Sequence, residues 1–152
     1  MENQNVISSV NTAKAEISKV LYTGKVHITG GREGNATSSD GCLNITLSTP
    51  GGPGSGTNPE QLFAAGWSAC FIGAMKHNAS SLKIILPANL AVDAEVDLGT
   101  GDSGFQLQAR LNVSLPGLTA EQAKTVVEAA HQTCPYSKAT RGNINVEINV
   151  AV

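Results

Sequence analysis

Apolar and polar residues alternate with a period of two in five segments of the chain. This pattern is typical of strands that bury one face and expose the other, and such strands usually form antiparallel sheets. Glycine-containing links at 29–34 and 99–104 supply the residues that tight turns require, so residues 92–113 predict a hairpin. The alternating segments span residues 22–28, 43–47, 92–98, 105–113 and 144–150.

A longer apolar segment predicts a central helix. Asn58 and Pro59 are typical of an N-cap and a first helical position, and the segment continues to Met75. From Leu62 onward it is apolar on every side. We therefore expect this helix to be buried all round, in the middle of the fold or in a subunit interface.

A second helix is predicted after Thr119, which can form a capping box with Gln122. Its apolar positions repeat at helical spacing as far as Cys134, and Pro135 should end it. The order of strands, helix, strands, helix and strand predicts an α+β fold rather than a βαβ one.

The length and the charge of the chain indicate a single domain and argue against some classes of partner. The 152 residues fit one domain, which we place at residues 20–152 behind a loosely attached N-terminal extension, residues 1–19. Ten Lys and Arg residues against twelve Asp and Glu residues give a net charge of −2, which argues against nucleic acid as a partner. The longest apolar run, residues 62–75, is too short and too interrupted to span a membrane. The N-terminus has no secretory signal, so we expect a cytoplasmic protein.

Three cysteines are candidates for chemistry. Cys70 lies in the middle of the central helix between Gly66 and Gly73. Glycine costs about 1 kcal/mol in a helix interior, which indicates a close approach there, although a cysteine buried only for packing is the alternative. Cys134 ends the second helix, where the negative end of the helix dipole disfavours a thiolate, so a resolving role suits it better than an attacking one. Cys42 lies on the polar side of a strand and is treated as incidental.

His131 precedes Cys134 by three residues, so a Cys–His dyad is a competing catalytic hypothesis, although a solvated helical histidine is the simpler interpretation. The sequence contains no Cys-x-x-Cys or His-x-x-x-His pair. The glycine-rich residues 49–57 lack the Gly-Lys-Ser/Thr ending of a phosphate-binding loop. We therefore expect neither a metal nor another cofactor.

Five short motifs carry a resemblance to a known family. They are Val20-Leu-Tyr-Thr23, Thr29-Gly-Gly-Arg32, Gly56-Thr-Asn-Pro-Glu-Gln-Leu-Phe-Ala-Ala-Gly66, Ser68-Ala-Cys-Phe-Ile-Gly-Ala74 and Cys134-Pro-Tyr-Ser-Lys-Ala-Thr-Arg-Gly-Asn-Ile144. Together they resemble the organic hydroperoxide resistance proteins of the OsmC-like family, over residues 19–150. The N-terminal extension and Cys42 lie outside the resemblance.

The resemblance implies antiparallel sheets around a buried central helix in an intertwined homodimer. It also implies a thiol peroxidase that reduces organic hydroperoxides, with Cys70 as the peroxidatic cysteine, Cys134 as the resolving cysteine and a redox-active disulfide between them. Arg32 and Glu60 would assist. The implied reductant is a dithiol, either dihydrolipoamide or a lipoylated protein.

Physical reasoning agrees with these roles. A buried thiol in mid-helix needs a nearby cation to ionise, and Arg32 is the candidate, held in place by a bidentate contact with Glu60. Glu60 and Cys70 are ten residues apart, which separates them by about 15 Å on one helix and places them on different faces. Two such helices packed across a two-fold axis could bring Arg32 and Glu60 of one chain to Cys70 of the other. We therefore predict an obligate homodimer.

Apolar residues near Cys70, including Trp67 and Phe71, favour a fatty-acid or aryl hydroperoxide over hydrogen peroxide, and Tyr136 is a further candidate for lining the substrate pocket. Two other functions stay open. One is a redox-sensing or ligand-binding module in which the disulfide signals without turning over. The other is a hydrolase that uses Cys134 and His131.

Overall fold

The computed structural model describes residues 16–152, so most of the predicted N-terminal extension, residues 1–19, lies outside the described part of the chain. The described residues form two three-stranded sheets and three α-helices, which confirms the mixed α+β class. The elements are β1 (Val26–Thr29), β2 (Asn35–Ser38), β3 (Asn44–Thr46), α1 (Pro59–Ala79), β4 (Ala91–Gly101), β5 (Gly104–Ser114), α2 (Ala120–Thr133), α3 (Pro135–Thr140) and β6 (Asn145–Ala151).

The first sheet is antiparallel in the order β1-β2-β3, with Ile28 opposite Ala36 and Ala36 opposite Ile45. The sequence pattern does not predict β2. This strand, Asn-Ala-Thr-Ser, contains one apolar residue, Ala36, which is 3% exposed, so it offers no alternating pattern to detect. The predicted turn at 29–34 is present, but it joins β1 to β2 rather than to the next predicted strand.

The second sheet contains the predicted hairpin. β4 and β5 pair along their whole lengths, with Val92 opposite Val113 and a tight turn from Gly101 to Gly104. β6 lies beside β5 but runs parallel to it, as with Leu111 opposite Ile148. The antiparallel expectation therefore fails at this one pair, because α2 and α3 connect β5 to β6 and supply the long crossover that a parallel pair needs.

Helix α1 begins where the sequence predicts. The Asn58 side chain accepts a hydrogen bond from the Gln61 N–H at 2.9 Å, and Pro59 is the first helical residue. The helix continues to Ala79, four residues beyond Met75.

One face of α1 forms the core against α2 and β4. Its buried residues are Trp67, Phe71, Ala74, Met75 and Ala79. Another face, with Ala65, Ala69 and Gly73, is exposed in the single chain. The expectation that α1 is buried all round is therefore not met within one chain.

Helix α2 has the predicted capping box: the Gln122 N–H donates to the Thr119 hydroxyl at 3.2 Å, and the Thr119 N–H donates to the Gln122 side chain at 3.0 Å. Pro135 ends α2 as predicted and also begins α3, a short helix that the sequence pattern does not predict. Among the described residues, no helix is long and apolar enough to cross a membrane.

Candidate active site

Two cysteines that are 64 positions apart in sequence meet in the fold. Cys70 lies on α1 and is partly exposed, whereas Cys134 lies between α2 and α3 and is completely buried. The Cys134 thiol donates to the Cys70 Sγ, and the two sulfur atoms are 3.4 Å apart. A disulfide has an S–S distance of about 2.05 Å, so closure requires the sulfur atoms to approach by about 1.4 Å. We call these two residues the thiol pair.

The junction of two helices holds Cys134 in place. Its N–H donates to the Ala130 carbonyl at 2.8 Å at the end of α2, and its carbonyl accepts from the Lys138 N–H at 3.0 Å at the start of α3. The Cys134 side chain makes no capping bond to α3. Its thiol is thus available to α1, to which α2 is also tied by a 2.8 Å bond from the Asn78 amide to the Thr133 hydroxyl.

The surroundings of Cys70 within the chain disfavour its thiolate. Burial is the main cause that raises the pKa of the Cys70 thiol. The backbone N–H of Tyr136 acts in the opposite direction and lowers this pKa. The net shift is upward, so an attacking thiolate at Cys70 needs a positive charge from elsewhere.

The bidentate contact expected between Arg32 and Glu60 is present. The Arg32 Nη1 and Nη2 atoms donate to the two carboxylate oxygens of Glu60 at 2.9 and 2.7 Å. The hydrogen bond from Arg32 holds the pKa of Glu60 below its usual value, and Glu60 raises that of Arg32. The Arg32 side chain is 45% exposed and the Glu60 side chain 13% exposed, so the arginine keeps surface for another contact. We call these two residues the ion pair.

A tight turn positions Arg32. The chain leaves β1 through Gly30, whose φ of +71° favours glycine, and Arg32 follows in a single 3₁₀ turn. Gly34 closes the turn: a Cβ on this residue would lie 1.6 Å from the Thr29 carbonyl oxygen, so no other residue fits. The neighbouring Glu33 accepts a 3.0 Å bond from Thr49, which ties the turn to the glycine-rich loop before α1.

Within one chain the thiol pair and the ion pair are separate. Glu60 is in the first turn of α1 and Cys70 is ten residues further on, about 15 Å along the helix. Neither Arg32 nor Glu60 is among the groups that shift the pKa of Cys70. The ion pair instead borders an open cleft of about 920 Å³ between the start of α1 and β4. Apolar residues on the walls of this cleft include Ala64, Val96, Leu98 and Phe105.

Two of the three residues expected to line a substrate pocket lie elsewhere. Trp67 and Phe71 have no exposed surface, because they belong to the core-facing side of α1, so neither can touch a substrate in this conformation. Tyr136 is 40% exposed. Phe63, which is not among the predicted site residues, is partly buried and packs edge-on against both Trp67 and Tyr136, with ring centroids 5.6 and 6.3 Å apart. Its position one helical turn before Trp67 was the available signal.

The two glycines beside Cys70 have different surroundings. A Cβ on Gly66 would lie 3.2 Å from the Tyr136 hydroxyl, so the inferred close approach is real and its partner is α3. A Cβ on Gly73 would meet nothing within 4 Å in the single chain.

The competing Cys–His dyad is absent. The Cys134 thiol contacts Cys70, and Nδ1 of His131 is buried without a hydrogen-bond partner among residues 16–152. Burial, with a smaller effect from Arg141, lowers the pKa of His131. Cys42 is exposed in the turn between β2 and β3, where its N–H donates to Asp40 at 3.0 Å. In the described chain, no three His, Cys, Asp or Glu residues form a group that could hold a metal ion.

Comparisons with known proteins agree on one family. The family model for OsmC-like proteins matches residues 52–149. An organic hydroperoxide resistance protein of Xanthomonas axonopodis pv. citri is 50% identical over 141 residues, which cover 90% of this chain and 99% of the relative. The crystal structure of an organic hydroperoxide resistance protein from Legionella pneumophila has a TM-score of 0.82 at 43% identity, covering 88% of this chain and all of that one. The crystal structure of OhrB of Bacillus subtilis has the same TM-score at 42% identity, covering 87% of this chain and all of that one. This chain therefore belongs to the organic hydroperoxide resistance proteins of the OsmC-like family.

Proposed function

We propose that this protein is a cysteine-dependent peroxidase that reduces organic hydroperoxides to alcohols. Membership of the organic hydroperoxide resistance family implies hydroperoxide detoxification. The observation that carries the cysteine mechanism is the 3.4 Å contact between the sulfur atoms of Cys70 and Cys134. Cys70 is the attacking residue because it is the partly exposed member of the pair, and buried Cys134 is the resolving residue.

The proposed cycle has two chemical steps and a regeneration. The Cys70 thiolate attacks the terminal peroxide oxygen; an S–O bond forms, the O–O bond breaks, and the alkoxide takes a proton and leaves as an alcohol. Cys134, as thiolate, then attacks the sulfur of the Cys70 sulfenic acid; the S–S bond forms and hydroxide leaves as water after protonation. A dithiol such as dihydrolipoamide, free or on a lipoylated protein, exchanges with the disulfide and is itself oxidised to a disulfide. No other cofactor enters this cycle.

Arg32 supplies the positive charge that Cys70 lacks within its own chain, and Glu60 orients it. We place this contact across a homodimer. If two α1 helices cross in antiparallel orientation at Ala65, Glu60 of each chain lies at the level of Cys70 in the other, because both residues are five positions from the crossing point. The exposed face of α1 at Ala65, Ala69 and Gly73 consists of small residues that permit a close approach of two helices.

Exposed apolar surface near the N-terminal strand also supports a dimer. Leu21 and Tyr22 are 88% and 81% exposed, and Ile28 is 57% exposed. Large apolar side chains with this much exposed surface in one short segment are typical of an interface. In the dimer this segment and α1 would both be covered, which is the burial on all sides that the sequence of α1 predicts.

Complementation tests the contact across the interface. Co-expressed Arg32→Gln and Cys70→Ser chains form heterodimers in which one site combines Cys70 of the first chain with Arg32 of the second. Peroxidase activity in heterodimers purified by two different tags, with both parent homodimers much less active, would support the proposal. Inactive heterodimers would show that Arg32 acts within its own chain.

The surroundings favour an alkyl or fatty-acid hydroperoxide. The cleft beside the ion pair has apolar walls from Val96, Leu98 and Phe105, and Phe105 is 80% exposed. Phe63 and Tyr136 pack edge-on against each other, and Phe63 lies two helical turns before Cys70 on α1. Burying an alkyl chain against such apolar walls contributes favourable binding free energy, whereas hydrogen peroxide has no apolar surface to bury.

Steady-state turnover tests the function. With dihydrolipoamide as reductant, the wild-type protein should consume many equivalents of tert-butyl or fatty-acid hydroperoxide, and hydrogen peroxide should be a much poorer substrate. Cys42→Ser should behave like the wild type, since Cys42 lies outside the thiol pair. Consumption that stops after one equivalent would contradict the peroxidase and favour a redox sensor.

A further inference from the structure

A buried hydrogen bond joins the two helices that carry the thiol pair. The indole N–H of Trp67 on α1 donates to the hydroxyl of Ser137 on α3 at 3.2 Å, and both residues are completely buried. Trp67 precedes Cys70 by three residues, and Ser137 follows Cys134 by three residues. The bond thus lies about one helical turn from each sulfur-bearing residue.

Helix α3 needs such an anchor. It has only six residues and its N-cap makes no side-chain hydrogen bond, and a helix of this length has little stability of its own. Its contacts with α1 include the Trp67–Ser137 bond and the close approach of the Tyr136 ring to Gly66 and Phe63. The first of these is directional, so it fixes how far α3 can rotate or slide along α1.

The placement of α3 determines the geometry of the thiol pair. Cys134 is the N-cap of α3, so its position follows that of the helix. A movement of α3 by about 1 Å would be comparable with the whole distance that the sulfur atoms must close. Trp67 lies in the core and not in a substrate pocket, and from this position its indole N–H holds α3 through Ser137.

We propose that Trp67 and Ser137 are positioning residues for disulfide formation: their hydrogen bond holds α3 so that Cys134 reaches the Cys70 sulfenic acid before a second peroxide does. This proposal rests on the proposed peroxidase function. The competing reaction is attack of the sulfenate sulfur on a second hydroperoxide, in which an S–O bond forms, the O–O bond breaks and an alcohol leaves. Its product, a sulfinic acid at Cys70, is inactive.

The test separates the two steps. Reduced protein is mixed with one equivalent of tert-butyl hydroperoxide, quenched with acid and an alkylating agent at intervals, and examined by mass spectrometry for sulfenic acid, disulfide and sulfinic acid. In Ser137→Ala, loss of Cys70 thiol should proceed within about twofold of the wild-type rate, whereas disulfide closure should slow about five- to tenfold, the effect of losing one buried hydrogen bond. With excess peroxide, Cys70 should reach the sulfinic acid at a correspondingly lower peroxide concentration.

Two further variants show whether the bond itself is responsible. Trp67→Phe removes the hydrogen-bond donor. The double variant, which combines Trp67→Phe with Ser137→Ala, should close the disulfide no more slowly than Trp67→Phe alone, because both changes remove the same interaction. Thr140→Val is the matched control: it removes another buried hydroxyl of α3, one that bonds carbonyls within α3 itself, and should leave the closure rate unchanged.

The outcomes separate this inference from the proposed function. Slow closure and easier overoxidation in both single variants would support the positioning role. Wild-type closure rates in folded Ser137→Ala, or in Trp67→Phe if the former does not fold, would overturn it while leaving the peroxidase intact. If the wild-type protein itself formed no Cys70–Cys134 disulfide, the proposed function would fail and this inference with it.

Discussion

Replacing Arg32 with glutamine should slow the attack of Cys70 on hydroperoxide and move its pH dependence upward. A guanidinium within about 4–6 Å of a thiolate lowers the thiol pKa by about 1–3 units. Because the Arg32 side chain is 45% exposed, solvent screens part of its charge, so we take the lower end of this range. One unit corresponds to a tenfold change in the thiolate fraction, so the second-order rate constant at neutral pH should fall about tenfold.

The assay measures the first step alone. In a Cys134→Ser background, the rate of Cys70 thiol loss with tert-butyl hydroperoxide is recorded against pH. The rate rises as the thiol ionises, so Arg32→Gln should shift the midpoint to higher pH and leave the rate at high pH less affected. Arg110→Gln is the matched control, because Arg110 is also ion-paired, with Asp97 at 2.8 and 3.0 Å, but lies on β5. An unchanged midpoint and rate in Arg32→Gln would refute the electrostatic role.

Three other predictions concern resolution, the arginine turn and acid stability. Cys134→Ser should reduce one equivalent of organic hydroperoxide and then stop with Cys70 as a sulfenic acid, which a dimedone adduct detects. Gly34→Ala should destabilise the protein by at least about 2 kcal/mol in urea unfolding, because its Cβ would overlap a backbone carbonyl, whereas Gly99→Ala should cost much less, having open space around it. Hydrogen bonding from Arg110 lowers the pKa of Asp97 to about 2. The stability that this ionised carboxylate contributes should be fully present above about pH 4 and be lost as the pH falls towards 2. In Asp97→Asn, the urea concentration at the unfolding midpoint should therefore change less with pH between 4 and 2 than in the wild type.

Local chemistry made α1 and α2 predictable. Asn58 with Pro59, and Thr119 with Gln122, satisfy backbone groups at helix starts through contacts within four residues, so their spacing in sequence is enough to identify them. The hairpin of β4 and β5 is likewise a local structure. β2 was missed because Ala36 is its one apolar residue.

The orientation of α1 was not predictable from its own sequence. Its apolar residues surround the helix, so no polar face indicates which side meets the core. Trp67 and Phe71 were therefore expected beside a substrate, whereas the structure buries them against α2 and the second sheet. Ser137 gave no signal, since its function depends on a partner 70 residues earlier in the chain.

The site itself was predictable in part. The ion pair was implied by the resemblance to the family, the chemistry of an arginine fork and a carboxylate agreed with it, and the structure contains the contact. The meeting of Cys70 and Cys134 was implied by the resemblance to the family and not by spacing, because a separation of 64 residues specifies no distance. Whether the ion pair serves the thiol pair of the same chain or of a partner depends on packing between chains, which no local pattern encodes.

Mass spectrometry of the protein after one equivalent of organic hydroperoxide is the most direct examination of the central chemistry. Peptide mapping under non-reducing conditions should find Cys70 linked to Cys134 in most chains, with Cys42 still a free thiol and one molecule of alcohol released per disulfide. Oxidation confined to Cys42, or a Cys70 that stays reduced while the hydroperoxide persists, would contradict the account.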